Sequence, residues 1–163
     1  MFKEKNNLKT IKLLDMGLAV KLEKYFDKTK CGTLIYMAPE QLLGKTYTLS
    51  VDIWAAGMIL FIICSGGQHP IYNSKLDTAG YTEKVTKLEK WEFTNKFPKL
   101  ARNLFLRMCK FDYKLRLPSY KIILHPWISR DTNGSLPLSN MDSWRRRNEL
   151  EEFKSVKNLK ILD

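Results

Sequence analysis

The sequence has no apolar stretch long enough to cross a bilayer. Its longest, Ile53-Trp54-Ala55-Ala56-Gly57-Met58-Ile59-Leu60-Phe61-Ile62-Ile63-Cys64, is twelve residues. A membrane helix needs roughly 20, so a buried core helix is the better reading. Residues Met1-Phe2-Lys3-Glu4-Lys5-Asn6-Asn7 carry no apolar leader core, and no secretory signal is expected. Cysteine is scarce: Cys31, Cys64 and Cys109 stand far apart without metal-ligand spacing. That excludes a disulfide framework and points to reduced thiols in a cytoplasmic chain, with a nuclear one equally allowed. The 28 basic residues exceed the 17 acidic ones, for a net charge of +11. No basic run exceeds Arg145-Arg146-Arg147, however, and no nucleic-acid motif is visible. Such a charge could attract an anionic partner. The even spread of lysines reads instead as a solvated surface, so neither nucleic acid nor membrane is expected as a partner. Internal repeats and low-complexity segments are lacking too.

What is present suits one buried core: 163 residues, 44% apolar and 12% aromatic. Residues 8–14 read as a short strand, broken at Asp15-Met16-Gly17. Residues 18–38 are polar and irregular, a loop. Residues 38–43 fit a short helix, with Pro39 tolerated in its first turn. Ser50 can cap the apolar helix, which stops before Gly66-Gly67. Further helices are expected at about 79–92, 98–110 and 118–124, the last opened by Pro118. Leu100, Leu104 and Met108 share one face of the second of these, as core. The stretch Thr132-Asn133-Gly134-Ser135-Leu136-Pro137 separates a domain, residues 8–130, from a tail, residues 131–163.

Five motifs occur in a fixed order. Asp15-Met16-Gly17 precedes Cys31-Gly32-Thr33-Leu34-Ile35-Tyr36-Met37-Ala38-Pro39-Glu40. Asp52-Ile53-Trp54-Ala55-Ala56-Gly57, Arg116-Leu117-Pro118-Ser119 and His125-Pro126-Trp127-Ile128 follow. Alone, Asp-x-Gly is a common turn. Followed by Gly-Thr-x-x-Tyr-x-Ala-Pro-Glu, it resembles the activation segment of a eukaryotic Ser/Thr protein kinase. His125-Pro126-Trp127 resembles the domain end of the calcium/calmodulin-dependent-like group. The resemblance spans about residues 8–130 and implies a mainly α fold: a protein-kinase-like C-lobe with a short N-terminal strand.

The resemblance also assigns roles. Asp15 would ligate Mg²⁺ and so hold ATP, a hard cation favouring an oxygen ligand on a turn. Gly17 would let the backbone flip there. The family usually has Phe where Met16 stands, an unbranched side chain able to fill the same internal slot. Thr33 and Tyr36 would form the protein-substrate site, Thr33 also bonding the catalytic Asp and Lys regions. Thr29 matches a position phosphorylated to order the loop; an unmodified loop threonine is an equal reading. Glu40 and Arg116 would form a buried bidentate pair. Asp52, Trp54 and Gly57 would be structural, with Asp52 bracing the catalytic loop. His69 and His125 each precede proline in turns, and neither is expected to be a ligand or a base.

The family's phosphate-covering Gly-rich loop, strand Lys and His-Arg-Asp catalytic loop all precede the metal-binding turn. The fourteen residues before Asp15 contain none of them. Ala19-Val20-Lys21 and Ser129-Arg130-Asp131 are imitations in the wrong places. With small lobe and catalytic loop absent, catalytic residues are lacking and the chain is expected to be inactive alone, with an apolar face exposed. The alternative is a non-catalytic, kinase-like binding or regulatory module. In the tail, Trp144-Arg145-Arg146-Arg147 leads into Leu150, Phe153, Val156 or Lys157, Leu159 and Leu162. This spacing suggests an amphipathic helix over 144–162, which in the resembled group can contact calmodulin or autoinhibit the substrate cleft. Glu149, Glu151 and Glu152 interrupt its basic face, which favours the plainer reading of a helix on the domain or in solvent.

Overall fold

The computed structural model describes residues 12–19, 32–73 and 75–129. Six α-helices occur there: α1 (Pro39–Leu42), α2 (Ser50–Cys64), α3 (Thr78–Thr86), α4 (Lys99–Met108), α5 (Ser119–Ile122) and α6 (Pro126–Ser129). Two 3₁₀ turns, Leu34–Tyr36 and Tyr113–Leu115, complete the set. The mainly α, kinase-C-lobe-like architecture is as expected. Residues 12–14 are not in a strand; the rest of the anticipated strand lies outside the described residues, as does the tail.

Local chemistry explains most helix ends. At α1, the Ala38 N–H donates to Gln41 Oε1 (3.0 Å), half of a capping box whose other half alanine cannot supply. Ser50 is not the cap of α2 but its first residue; Thr48 Oγ1 accepts the Ser50 N–H (3.4 Å) and bonds its hydroxyl (2.9 Å). At the other end Gly66 takes the left-handed φ of +74°, and the Gly67 N–H reaches the Ile62 carbonyl at 2.8 Å. That is the Schellman closure, which favours glycine. Asp77 caps α3 through Gly80 N–H at 2.7 Å.

The expected helix over 79–92 stops at Thr86. Residues 88–92 contain no breaker; tertiary packing decides the matter. Trp91 leaves the helical path and sets its ring 4.8 Å from Phe105, edge to face, and 5.8 Å from Trp54. Aromatic pairs of this geometry contribute about 0.5–1.5 kcal/mol each beyond area burial, more than one turn of exposed helix offers. The last expected helix shortens to α5 with Pro118 as its N-cap residue, and α6 restarts after His125.

The core lies between α2 and α4. From α4 it takes Ala101, Leu104, Phe105 and Met108, the i, i+3, i+4, i+7 set, whereas Leu100 is only half-buried. Phe61 of α2 is ringed by Phe93, Phe97 and Phe105 at 5.0–5.6 Å. Gly57 lets the two helices approach: a Cβ there would run into the Cys109 sulfur and lie 3.3 Å from Met108 Cβ. Cys109 is fully enclosed and its thiol reaches the Trp54 carbonyl, so it has nowhere to retreat.

Gly57→Ala should therefore destabilise by about 1–3 kcal/mol in urea titration, despite alanine's better helix propensity. Adding Cys109→Ala should recover part of that loss. A single variant as stable as the parent would show that α2 and α4 separate freely.

Candidate functional site

The best-defined part of the site is the anchor of the segment Gly32–Glu40. Arg116 enters the core after the Tyr113–Leu115 turn, where its side chain is 1% exposed and that of Glu40 6%. Nη1 donates to Glu40 Oε1 (2.6 Å) and Nη2 to Oε2 (2.7 Å), a fork-to-fork pair. The remaining donors go to backbone: Nε to the Lys110 carbonyl (2.8 Å), Nη1 to Ser50 (3.0 Å) and Nη2 to Phe111 (3.4 Å). An arginine side chain has five N–H donors, and all five are placed. The guanidinium also lies 5.1 Å from the Trp54 ring centre. Trp54 is wholly buried, and among the described residues its Nε1 has no hydrogen-bond partner.

The structure thus brings together Glu40, Trp54 and Arg116, with Gly57 setting the neighbouring helix contact. It does not join Asp52 to them. That carboxylate is exposed, and among the described residues it makes no hydrogen bond to the segment or to Arg116. Thr29 lies outside the described residues.

Thr33 precedes the first 3₁₀ turn and Tyr36 is its last residue. Thr33 is exposed and its carbonyl accepts the Tyr36 N–H at 3.0 Å. Tyr36 is half-buried against the core, and burial raises its phenol pKa. Leu34 and Ile35, between them, are buried. The Ile35 carbonyl accepts from His69 Nε2 (2.9 Å) and from the Tyr81 hydroxyl (3.0 Å). His69 Nδ1 accepts the N–H groups of Ile71 (3.1 Å) and Tyr72 (2.8 Å). Since Nδ1 must be unprotonated to do so, the proton sits on Nε2. His69 and Tyr81 were not legible as site residues. The only signal was the His-Pro dipeptide, which reads as a turn.

Asp15 adopts a left-handed φ of +63°, one that Asp tolerates better than most residues. Its Oδ1 accepts the Gly17 N–H at 3.2 Å. The backbone flip expected at Gly17 is therefore at Asp15 instead; Gly17 leaves room, since a Cβ there would meet Asp15 Oδ1 at 3.2 Å. Met16 fills no internal slot: Leu13, Leu14, Met16 and Leu18 are all exposed. The exposed Asp15 carboxylate suits one oxygen position of Mg²⁺, which commonly takes one or two carboxylates and completes its shell with phosphates and water. Among the described residues no cluster of three His, Cys, Asp or Glu side chains could hold a metal by itself. Nor is any helix among them long and apolar enough to cross a membrane.

The second histidine also serves the backbone. His125 Nδ1 accepts the Trp127 N–H (3.1 Å) and Nε2 meets Asn103 Oδ1 (3.1 Å). Burial, and then the Arg107 charge, lower its pKa. Cys64 and Cys109 are buried free thiols whose pKa values burial raises.

An activation-type segment fastened through Ala-Pro-Glu to a buried arginine, and following an Asp-x-Gly turn in the sequence, defines a protein kinase C-lobe. The family profile described as protein kinase domain matches residues 1–128, and the chain belongs to that family. It is 36% identical over 123 residues to the human serine/threonine-protein kinase DCLK3, covering 73% of this chain and 18% of that one. It is 31% identical over 145 residues to the SNF1-related protein kinase catalytic subunit alpha KIN12 of Arabidopsis thaliana, covering 87% and 28%. Zebrafish (Danio rerio) Aurora kinase B is 29% identical over 131 residues, covering 78% and 38%. The chain therefore spans well under half the length of these relatives. As a kinase-type sequence it is allied to proteins that use ATP and Mg²⁺ on protein substrates.

Two outcomes follow from the geometry. Arg116→Ala strands a buried carboxylate and should cost about 3–5 kcal/mol in urea titration. Glu40→Ala with Arg116→Ala should cost less than the sum of the two single changes; strict additivity would mean the pair does not couple. The second concerns acid. Burial lowers the His69 pKa from 6.5 to about 4, against a smaller opposing effect of the Ile35 bond. The unfolded chain then binds the proton more readily than the folded one. Stability is full above pH 6.5 and falls as pH drops from 6.5 towards 4, by on the order of 3 kcal/mol. His69→Gln should flatten that part of a stability–pH profile.

Proposed function

We infer that this chain is the substrate-side half of a Ser/Thr protein kinase domain, transferring the ATP γ-phosphate to protein Ser or Thr when joined to the other half. The observation that carries it is the segment Gly32–Glu40. Its two exposed or half-exposed side chains, Thr33 and Tyr36, are presented by a segment tied to the core at the centre of its turn, by the Ile35 bonds, and at its end, by Glu40–Arg116. Bound Mg²⁺ would supply charge neutralisation for the nucleotide phosphates, with Asp15 as its ligand from this chain. Thr33 and Tyr36 would orient the polypeptide, and Thr29 is the candidate phosphorylation switch. The assignment to the calcium/calmodulin-dependent-like group rests on His125-Pro126-Trp127. The same group membership makes residues 144–162 the candidate calmodulin or autoinhibitory segment, and a domain over 8–130 with a tail over 131–163 is consistent with it. A cytoplasmic location accords with the buried free thiols.

Alone, the 163 residues hold neither the strand Lys nor the His-Arg-Asp base, so we expect the isolated chain to be inactive. One observation favours the second reading, a non-catalytic binding or regulatory module: the outward face of α2 is apolar, with Ile59 49% and Ile63 58% exposed.

The test is a chimera in which the small lobe and catalytic loop of a relative are fused ahead of residue 12. It should phosphorylate Ser/Thr peptides, and Asp15→Asn should abolish transfer while leaving the melting cooperative. A chimera that folds and binds ATP yet phosphorylates no Ser/Thr peptide would overturn the kinase reading. Separately, micromolar Mg-ATP binding by the isolated chain would contradict its expected inactivity.

A further inference from the structure

The Ile35 carbonyl stands apart from the backbone bonding of its turn. The turn closes through the Tyr36 N–H to the Thr33 carbonyl (3.0 Å) and the Met37 N–H to the Leu34 carbonyl (3.1 Å). Neither bond uses the Ile35 oxygen. Both of its acceptor positions are instead filled by side chains from two separate later elements, His69 from the loop after α2 and Tyr81 from α3. These donors are themselves fixed. His69 is orientated by two backbone N–H groups on Nδ1. Tyr81 is fully buried, with its ring 6.0 Å from that of His69 and 6.3 Å from that of Tyr72. A carbonyl cannot donate, so both groups must.

We propose that His69 and Tyr81 are positioning residues for the segment Thr33–Tyr36, a two-donor clamp that holds its turn with Thr33 outward and Tyr36 at the surface. The relevance of this clamp to peptide recognition rests on the reading of Thr33 and Tyr36 above; the clamp itself does not. Tyr81→Phe removes one donor and keeps the buried ring. His69→Asn keeps an acceptor near Nδ1 for Ile71 and Tyr72 but withdraws the donor from Ile35. His69→Gln can extend an N–H towards Ile35 in place of Nε2.

The experiment is amide hydrogen exchange on the full 163-residue chain, followed residue by residue by NMR, with thermal melting recorded alongside. Tyr81→Phe and His69→Asn should each speed exchange at Tyr36 and Met37 by about three- to tenfold relative to the α4 amides of Phe105 and Met108. His69→Gln should restore most of the protection that His69→Asn loses. Equal acceleration at all four amides, tracking a fall in melting temperature, would overturn the proposal, because the residues would then be ordinary core. So would a His69→Gln variant no better protected than His69→Asn. Neither ATP nor peptide is needed, so this outcome is independent of whether the chimera phosphorylates anything.

Discussion

The guanidinium of Arg116 is the point on which several separate chain segments converge. Glu40 ends the activation-type segment, Ser50 opens α2, and Lys110 and Phe111 follow α4; each gives it an acceptor. A buried ion pair by itself is weak evidence for stability, since desolvating two charges offsets much of their attraction. What distinguishes this one is saturation. With no donor left unpaired, the arrangement has no relaxed alternative nearby, and it fixes geometry where an apolar replacement would only fill space. Lysine could not substitute, because a single ammonium cannot present two parallel donors to a carboxylate and still reach three carbonyls.

Around that point the packing follows from size. Trp54 lies under the guanidinium and against Trp91 and Phe111, while Phe61 continues the aromatic cluster through Phe93, Phe97 and Phe105. Rings this large can interlock only if the helices carrying them come close, and Gly57 against Cys109 is where they do. The anchor and the core are thus one construction. The segment that presents Thr33 and Tyr36 is tied at Glu40 by the ion pair and at Ile35 by His69 and Tyr81.

The peripheral turn at Asp15 is of a different kind. Its geometry is local: an aspartate in the left-handed region, a carboxylate oxygen on the Gly17 N–H, and a glycine that leaves the space. The apolar side chains beside it face solvent, so no core contact fixes its direction. An exposed carboxylate of this kind is compatible with the Mg²⁺ role proposed for Asp15, since Mg²⁺ commonly takes only one or two protein carboxylates.

Much was legible in the order of the residues. The motif sequence Asp-x-Gly, Ala-Pro-Glu, Asp-x-Trp-x-x-Gly and Arg-Leu-Pro-Ser identified the fold and the pair Glu40–Arg116 across a separation of 76 residues. The glycines after Cys64 marked the end of α2, because the left-handed closure there needs them. Local rules failed where distant atoms competed. The helix after Asp77 ends at Thr86 because Trp91 is worth more against Phe105 than in another helical turn. Ser50 enters the helix because Thr48 takes its N–H. His69 and Tyr81 gave no sign of their role, since nothing in a His-Pro turn or an amphipathic helix says which carbonyl lies opposite. Sequence by itself determined which family this chain belongs to and which residues carry charge into its interior. The tertiary structure alone decided where each donor points, because a hydrogen bond depends on the placement of two atoms that the chain's order leaves far apart.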